Sequence, residues 1–284
     1  MRFVDRETEM KELHTIETLS KKKLFVVAVY GLRRVGKTRL LLEFLKEKGI
    51  YFFVNKSKTS NDLLAEFQEI LRKNHVLNEL ENITSWDQFF EVLAKRNSPP
   101  IVLDEFQNFS LVEPTVFGIM QKNIDLNENK PGLIILSGSL IGLMKNLFNN
   151  AKEPLYGRIK KGFKLEPLQL NACLELAKEL KLEKEELIQL YCIFGGYPKY
   201  FTSIEDFDLK GKKTTEIIDF LLLSKDAPLE DEVNSILSQE FGARSGVYYS
   251  ILEAIANGNN TISTIASTMN TNPTSITRQI KELK

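Results

Sequence analysis

The chain has 284 residues, of which 43% are hydrophobic, so it is long enough for one large domain or for two or three smaller ones. Its 38 basic side chains balance 38 acidic ones, which excludes a strong overall field toward nucleic acid or an anionic membrane surface. Its two cysteines, Cys173 and Cys192, have neither the spacing of a zinc site nor the density of a disulfide scaffold, which favours a reducing compartment. No apolar run approaches the roughly 18 residues of a membrane-spanning helix, so we expect a cytoplasmic protein without membrane contact.

Short apolar runs alternate with helical patterns through the first half of the chain. We predict strands at residues 24–30, 50–55, 101–103 and 132–137. Apolar residues at helical spacing occupy residues 40–45, and polar helical stretches cover residues 61–74 and 85–96, where Ser85 could cap the helix that starts at Trp86. Strands that alternate with helices predict an α/β fold with a parallel sheet. The phenylalanines Phe44, Phe52 and Phe53 are expected in its core.

Beyond about Leu165 the strand pattern fades. Helical spacing continues at residues 171–181, 184–194 and 214–223, and the sequence Gly195-Gly196-Tyr197-Pro198 ends the second of these helices. A helical subdomain is therefore expected to follow the sheet.

A glycine-rich loop connects the first strand to the helix that follows it. Its glycines, lysine and threonine have the complete spacing of a phosphate-binding P-loop, in the strand–loop–helix context that the motif requires. Backbone N–H groups and the helix N-terminus would face phosphate oxygens there, and the lysine would add a point charge. The predicted nucleotide-binding residues at this loop are Gly31, Leu32, Arg33, Arg34, Val35, Gly36, Lys37, Thr38 and Arg39.

An acidic pair follows the third predicted strand. A P-loop needs an acid at the end of a neighbouring strand to hold Mg²⁺ against a triphosphate, and Asp104 is placed for that role. We expect Thr38 and Asp104 to hold the metal. Glu105 could orient the attacking water or accept its proton, so Glu105 and Lys37 are the predicted catalytic residues.

Two further residues have weaker support. Ser137 at the end of the fourth strand could hydrogen-bond the attacking water or the γ-phosphate, although a serine–glycine turn is common after any strand. Arg158 could bind phosphate oxygens in its own subunit or across an interface, and a solvated surface arginine is an equal alternative.

An ordered set of motifs carries a family resemblance over about residues 1–200. Besides the P-loop and the acidic pair, the set comprises Phe3-Val4-Asp5-Arg6-Glu7, the serine–glycine–serine at 137–139, Leu155-Tyr156-Gly157-Arg158 and Gly195-Gly196-Tyr197-Pro198. Together these motifs resemble the AAA+-related ATPase family found predominantly in archaea, within the signal-transducing STAND group.

The resemblance implies an AAA+-like ATPase domain at 1–165, a helical lid at 166–240 and a winged-helix-like domain at 241–284, used as an ATP-dependent switch. It also implies that Arg6 lies close to the adenine or ribose, and that Pro198 of the lid touches the base or phosphates.

The last segment of the chain has helix-turn-helix spacing, with helical patterns at 247–256, 261–269 and 273–283. The polar face of the third pattern could read a DNA major groove. However, few cations are present and residues 230–232 are acidic, so packing or a protein partner is the alternative. A wing hairpin would need residues after Lys284, so we expect a truncated or minimal version of this domain.

These features predict a slow Mg²⁺-dependent ATPase that acts as a conformational switch, with ATP or ADP as its ligand. GTP stays open, although no Asn-Lys-x-Asp element that would select guanine is present. A DNA-binding regulator with nucleotide as its allosteric ligand is one alternative. A scaffold that holds ADP and recruits a protein partner is another.

Overall fold

The computed structural model describes residues 2–46, 48–95 and 99–283. The chain divides into two compact units, Met1–Lys212 and Lys213–Lys284. This division falls within residues 166–240, so the helices up to Lys212 belong with the sheet rather than with the last segment. The three-part division that the sequence indicates stays a prediction.

A parallel sheet of five strands forms the centre of the first unit. The strands are β1 Leu24–Tyr30, β2 Ile50–Phe53, β3 Ile101–Asp104, β4 Gly132–Gly138 and β5 Lys161–Lys164. They lie in the order β2-β3-β4-β1-β5, and each neighbouring pair is parallel. Their carboxyl ends therefore meet at one edge of the sheet. The predicted parallel α/β fold is confirmed.

Helices cover both faces of this sheet. Those of the first unit are α1 Glu7–Ser20, α2 Lys37–Leu45, α3 Ser60–Lys73, α4 Trp86–Lys95, α5 Phe109–Val112, α6 Thr115–Asn127, α7 Ile141–Asn149, α8 Leu170–Glu179, α9 Lys184–Phe194 and α10 Pro198–Asp206. Successive residues of β1 point to opposite faces. On one face Val27 packs in a cluster with Leu13 of α1 and Leu40 of α2. On the other face Val26 belongs to the cluster that contains Phe67 of α3.

Capping side chains set the starts of α3 and α4. The Thr59 side chain accepts a hydrogen bond from the Asp62 N–H, so α3 begins at Ser60. Ser85 Oγ accepts the Gln88 N–H at 3.3 Å, which agrees with the predicted cap. Arg96, the last residue of the predicted helix, lies outside the described residues.

Two sequence expectations about the sheet need correction. The prediction that Phe53 belongs to the core is wrong: Phe53 is 43% exposed, because it ends the edge strand β2 and points away from the face that buries Phe52. The strand β5 was not predicted. Only Phe163 of its four residues is buried, so its pairing with β1 depends on backbone hydrogen bonds and leaves little hydrophobic pattern.

The second unit is helical over its described residues, 213–283, where no strand occurs. Its helices are α11 Thr214–Ile218, continued by a π-helix at Asp219–Leu223, then α12 Glu232–Phe241, α13 Ser245–Ala256, α14 Ile262–Thr268 and α15 Pro273–Glu282. The last three match the three predicted helical patterns. They share a small core that includes Ile251, Ile265 and Ile276. Three short helices therefore occupy the predicted positions, and the helix-turn-helix arrangement and its wing stay predictions.

None of the helices in the described residues is long and apolar enough to cross a membrane.

Candidate functional site

The loop between β1 and α2 requires glycine at the two glycine positions of the P-loop spacing, Gly31 and Gly36. Gly36 has a φ of 96°, a left-handed conformation that side chains disfavour, and it precedes the first residue of α2. A Cβ on Gly31 would lie 2.4 Å from the Leu165 carbonyl oxygen, which arrives from the end of β5. The N-terminus of α2 thus points into a tightly curled loop, the arrangement that binds phosphate.

Lys37 is folded across this loop. Its side chain is only 6% exposed. The Nζ atom donates hydrogen bonds to the Gly31 carbonyl at 2.8 Å and to the Leu32 carbonyl at 2.9 Å. The loop carbonyls therefore hold a nearly buried positive charge in place, ready for an anion that enters the loop.

Thr38 and Asp104 meet although 66 residues separate them in sequence. Thr38 Oγ1 donates to Asp104 Oδ2 at 2.7 Å, and Asp104 is 2% exposed at the carboxyl end of β3. The Tyr51 hydroxyl donates to the same Oδ2 at 2.8 Å. Burial and the adjoining Asp104 carboxylate raise the pKa of the Tyr51 hydroxyl, so it remains a donor at neutral pH.

This corner has the donor chemistry that Mg²⁺ prefers, namely hydroxyl and carboxylate oxygens. Across the described parts of the chain, no group of three or more His, Cys, Asp or Glu side chains is placed to hold a metal. A metal held at Thr38 and Asp104 would therefore need further oxygen ligands from phosphate and water, which is how Mg²⁺ commonly binds with nucleotides. The residues fit Mg²⁺ together with a phosphate chain.

Glu105 follows Asp104 in a left-handed conformation with a φ of 54°. Its carboxylate is held by neighbours: Ser139 Oγ donates to Oε2 at 2.9 Å and Gln107 Nε2 donates to the same oxygen at 2.5 Å. Arg33 of the P-loop forms an ion pair with Glu105 at 3.9 Å. The candidate base is therefore restrained on three sides.

The serine–glycine–serine at the end of β4 contributes differently from the expectation. Ser139, rather than Ser137, contacts the Glu105 carboxylate. Ser137 is fully buried, and its Oγ has no hydrogen-bond partner among the described residues. A role for Ser137 toward nucleotide stays a prediction. A Cβ on Gly138, between them, would lie 2.4 Å from Gln107 Oε1, so a larger residue there would displace the Gln107 side chain.

A cavity of about 320 Å³ adjoins the P-loop. Its lining includes five of the predicted nucleotide-binding residues, namely Arg6, Val35, Gly36, Arg39 and Pro198. Phe3, Val4, Leu168 and Thr202 complete much of the wall. The structure thus brings together, beside the phosphate loop, residues that are far apart in sequence, in a space with mostly apolar walls suited to a base.

Arg6 connects the cavity to the loop. It is 6% exposed, and its guanidinium donates to the Val35 carbonyl at 3.1 Å and to the Glu166 carbonyl at 2.8 Å. Glu9 accepts a third hydrogen bond from it. These bonds fix the N-terminal segment against the P-loop and against the segment that follows β5.

The remaining loop side chains have distinct surroundings. Leu32 is 42% exposed, so its backbone rather than its side chain contributes to the loop. Burial lowers the pKa of Arg34, which also interacts with Tyr200 of α10. Pro198, at the start of α10, lies 3.7 Å from the position that a Cβ on Gly36 would take. Helix α10 therefore reaches the P-loop directly.

Arg158 is not brought to the P-loop within this chain. Its guanidinium forms two hydrogen bonds with Asp125, at 2.8 and 2.7 Å, and holds the pKa of Asp125 below its usual value. The adjoining Lys160 N–H donates to the Val26 carbonyl, which lies four residues before the end of β1. Four strand residues span about 13 Å, so Arg158 lies toward the opposite edge of the sheet. Of the two possibilities that the sequence left open, the structure shows no contact in cis among the described residues, and a role in trans stays a prediction.

Sequence reasoning missed Tyr51 and Gln107. Tyr51 occurs in an apolar strand, Ile50–Phe53, where an aromatic residue indicates core packing, and only the pairing of β2 with β3 brings its hydroxyl to Asp104. Gln107 comes three residues after Asp104, and its 1% exposure could not be read from a local pattern.

Comparisons with known proteins agree with this site. A family model described as an ATPase domain predominantly from Archaea matches residues 3–204. An uncharacterized protein of Methanocaldococcus jannaschii is 29% identical over 284 residues, which is 99% of this chain and 60% of that protein. The chain thus spans less than two thirds of that relative's length.

Two further matches come from Pyrococcus species. An uncharacterized ATP-binding protein of Pyrococcus horikoshii is 30% identical over 238 residues, which is 70% of this chain and 73% of that protein. The solved structure of the Walker-type ATPase of Pyrococcus abyssi matches with a TM-score of 0.71 at 22% identity, covering 94% of this chain and 84% of that one. The last match shows the shared fold. With the family model covering most of its length, the chain belongs to the ATPase domain family predominantly from Archaea.

Proposed function

We propose that this chain binds ATP with Mg²⁺ at the P-loop and hydrolyses it slowly, as a conformational switch. The observation that carries the proposal is the 2.7 Å hydrogen bond between Thr38 and Asp104, which joins the phosphate loop to an acidic strand end. An acid that merely ended a strand in solvent would be neither nearly buried nor hydrogen-bonded to the P-loop threonine, as Asp104 is.

Each residue has a defined task in this proposal. When nucleotide binds, the Lys37 ammonium group leaves the loop carbonyls to which it donates here and binds phosphate oxygens. Thr38 and Asp104 would hold Mg²⁺, which supplies positive charge to the phosphates when bound. Glu105 orients the attacking water and accepts its proton. It must first leave the hydrogen bonds of Ser139 and Gln107, which supports slow turnover.

The switch would act through α10 and the segment before it. Pro198 lies against the P-loop, and the Leu168 N–H donates to the Gly196 carbonyl at 2.8 Å. Arg34 of the loop interacts with Tyr200, two residues after Pro198 in α10. A change at the γ-phosphate would therefore be transmitted to the helices that follow β5.

The test begins with the nucleotide that the purified protein carries. The protein is denatured, the released nucleotide is identified and counted, and ATP turnover with Mg²⁺ is measured for the unaltered protein, Lys37→Ala and Glu105→Gln. We expect Lys37→Ala to lose nucleotide binding, and Glu105→Gln to retain ATP while turnover falls by about 100-fold or more.

Glu113→Gln is the matched control, because Glu113 also accepts hydrogen bonds from two hydroxyls, those of Ser60 and Thr115, away from the P-loop. Its turnover should equal that of the unaltered protein. Undiminished turnover in both Lys37→Ala and Glu105→Gln would refute the proposal. Tightly held ADP without turnover would instead support the scaffold alternative.

A DNA-binding regulator is the second candidate, because α13, α14 and α15 lie where the sequence predicts a helix-turn-helix and α15 has an exposed polar face. The net charge of the second unit argues against DNA binding. Residues 213–284 carry six basic and nine acidic side chains, a net charge of −3. Both arginines of this segment, Arg244 and Arg278, pair with Glu282. A duplex-DNA titration with and without ATP at two salt concentrations tests it, and an absence of salt-dependent affinity would exclude this role.

A further inference from the structure

Tyr51 brings a hydroxyl to the acidic end of β3 from the neighbouring strand. In the register of the two strands Tyr51 pairs with Val102, which is two residues before Asp104 and therefore points to the same face of the sheet. That face also carries α2, the helix that begins with Lys37 and Thr38. The sheet thus places a tyrosine hydroxyl, a carboxylate and the P-loop threonine in one corner.

The Asp104 carboxylate accepts three hydrogen bonds from described residues. Oδ2 accepts from Thr38 at 2.7 Å and from Tyr51 at 2.8 Å, and Oδ1 accepts from the Glu105 N–H at 3.0 Å. A carboxylate offers about four lone-pair positions, so these three bonds leave roughly one position, on Oδ1. That position is available to a water bound to a metal.

Tyr51 is well suited to hold the carboxylate in one orientation. Its ring packs against the cluster that includes Val102 and Leu41, so the hydroxyl has little freedom. Thr38, the other donor to Oδ2, lies in the first turn of α2. Without the tyrosine donor, Asp104 could rotate about its side-chain bonds and turn Oδ1 away from the metal position.

We propose that Tyr51 is a positioning residue for Mg²⁺: its hydroxyl fixes the Asp104 carboxylate so that Thr38 and a metal-bound water both find their acceptors. The inference rests on the proposed function of this site. Groups that orient a metal's ligands commonly change metal affinity by 10- to 100-fold when they are removed, and Tyr51 is such a group.

The experiment measures binding rather than turnover. ATP affinity is determined calorimetrically in EDTA and at increasing Mg²⁺ for the unaltered protein, Tyr51→Phe and Tyr248→Phe. We expect Tyr51→Phe to need about 10-fold more Mg²⁺ for half of the affinity gain, with unchanged ATP affinity in EDTA. Tyr248→Phe is the matched control, since it removes the hydrogen bond from a buried tyrosine to Glu282 in the second unit.

A double variant separates positioning from a general structural effect. If Tyr51 acts through Asp104, then Tyr51→Phe combined with Asp104→Asn needs no more Mg²⁺ than Asp104→Asn alone. Additive losses would overturn the inference, as would an unchanged Mg²⁺ requirement in Tyr51→Phe or weaker ATP binding in EDTA. If the unaltered protein binds ATP identically with and without Mg²⁺, the proposed function itself fails and this inference fails with it.

Discussion

The sheet unit and the helical unit use polar side chains in opposite ways. At the carboxyl edge of the sheet, three polar side chains are nearly buried and hydrogen-bonded to residues of the site: Lys37, Asp104 and Gln107. In the three closing helices α13–α15, polar residues such as Arg278 and Thr274 lie on the surface, around a small apolar cluster. Burial of charge is costly unless it is paired. The sheet unit bears that cost at its site, whereas the charged side chains of α13–α15 are exposed.

The difference indicates where chemistry is expected. A buried, mutually bonded set of ionisable groups is typical of a catalytic or binding site, while an exposed polar face indicates a solvated surface or a partner contact. Four substitutions test whether each unit depends on its own interactions, in order from the largest expected effect to the smallest.

The largest effect is expected in the aromatic core of the sheet unit. Phe52 is fully buried, with ring centroids 4.7 Å from Phe67 and 5.3 Å from Phe89. Phe52→Ala should lower the free energy of unfolding of this unit by about 3–5 kcal/mol, measured by denaturant titration. Phe53→Ala, one residue later and 43% exposed, should change it by less than about 0.5 kcal/mol. Equal losses would contradict the assignment of the core face.

The next effect concerns the segment that connects β5 to α10. A Cβ on Gly196 would lie 1.8 Å from the Leu168 carbonyl oxygen, so Gly196→Ala should destabilise the sheet unit by about 1–3 kcal/mol. ATP affinity should fall as well, because Leu168 lines the cavity beside the P-loop. Gly142→Ala is the control, since nothing lies within 4 Å of its added Cβ. Thermal unfolding measures the stability of both variants and ATP titration measures their ATP affinity. Both quantities should fall for Gly196→Ala and not for Gly142→Ala.

A smaller effect is expected in the helical unit. The Thr261 side chain accepts the Thr264 N–H at the start of α14, so Thr261→Ala should cost about 1 kcal/mol of the stability of that unit. Thr268→Ala lies at the other end of the same helix and lacks this capping role. Hydrogen exchange of α14 measures the loss. If Thr261→Ala also weakened ATP binding, the two units would be energetically coupled. The helical unit would then not depend on its own interactions alone.

The smallest effect is expected from Arg158. Its ion pair with Asp125 is partly exposed, so Arg158→Ala should cost about 1 kcal/mol in stability. It should leave ATP affinity unchanged at low protein concentration, because the side chain lies far from the P-loop of its own chain. Turnover measured over a range of protein concentrations separates the alternatives: a defect that grows with concentration would favour a role in trans.

Much of the fold could be predicted from local patterns. The buried strands β1, β3 and β4 are continuous apolar runs, and the P-loop glycines mark the turn between β1 and α2, so these elements and their parallel pairing were predicted correctly. The weakly apolar strand β5 was missed. The exposure of Phe53 was predicted wrongly, because a local pattern does not tell an edge strand from a central one.

The sequence by itself determined the glycine-rich loop between β1 and α2, the acidic pair at the end of β3 and the three closing helices, because each of these is encoded by neighbouring residues. The tertiary structure alone decided which distant side chains meet. It joined Tyr51 to Asp104 through strand pairing, brought Ser139 rather than Ser137 to Glu105, and left Arg158 at the far edge of the sheet. Spacing along the chain fixes local conformation, whereas contacts between strands depend on sheet order and register, which no single segment encodes.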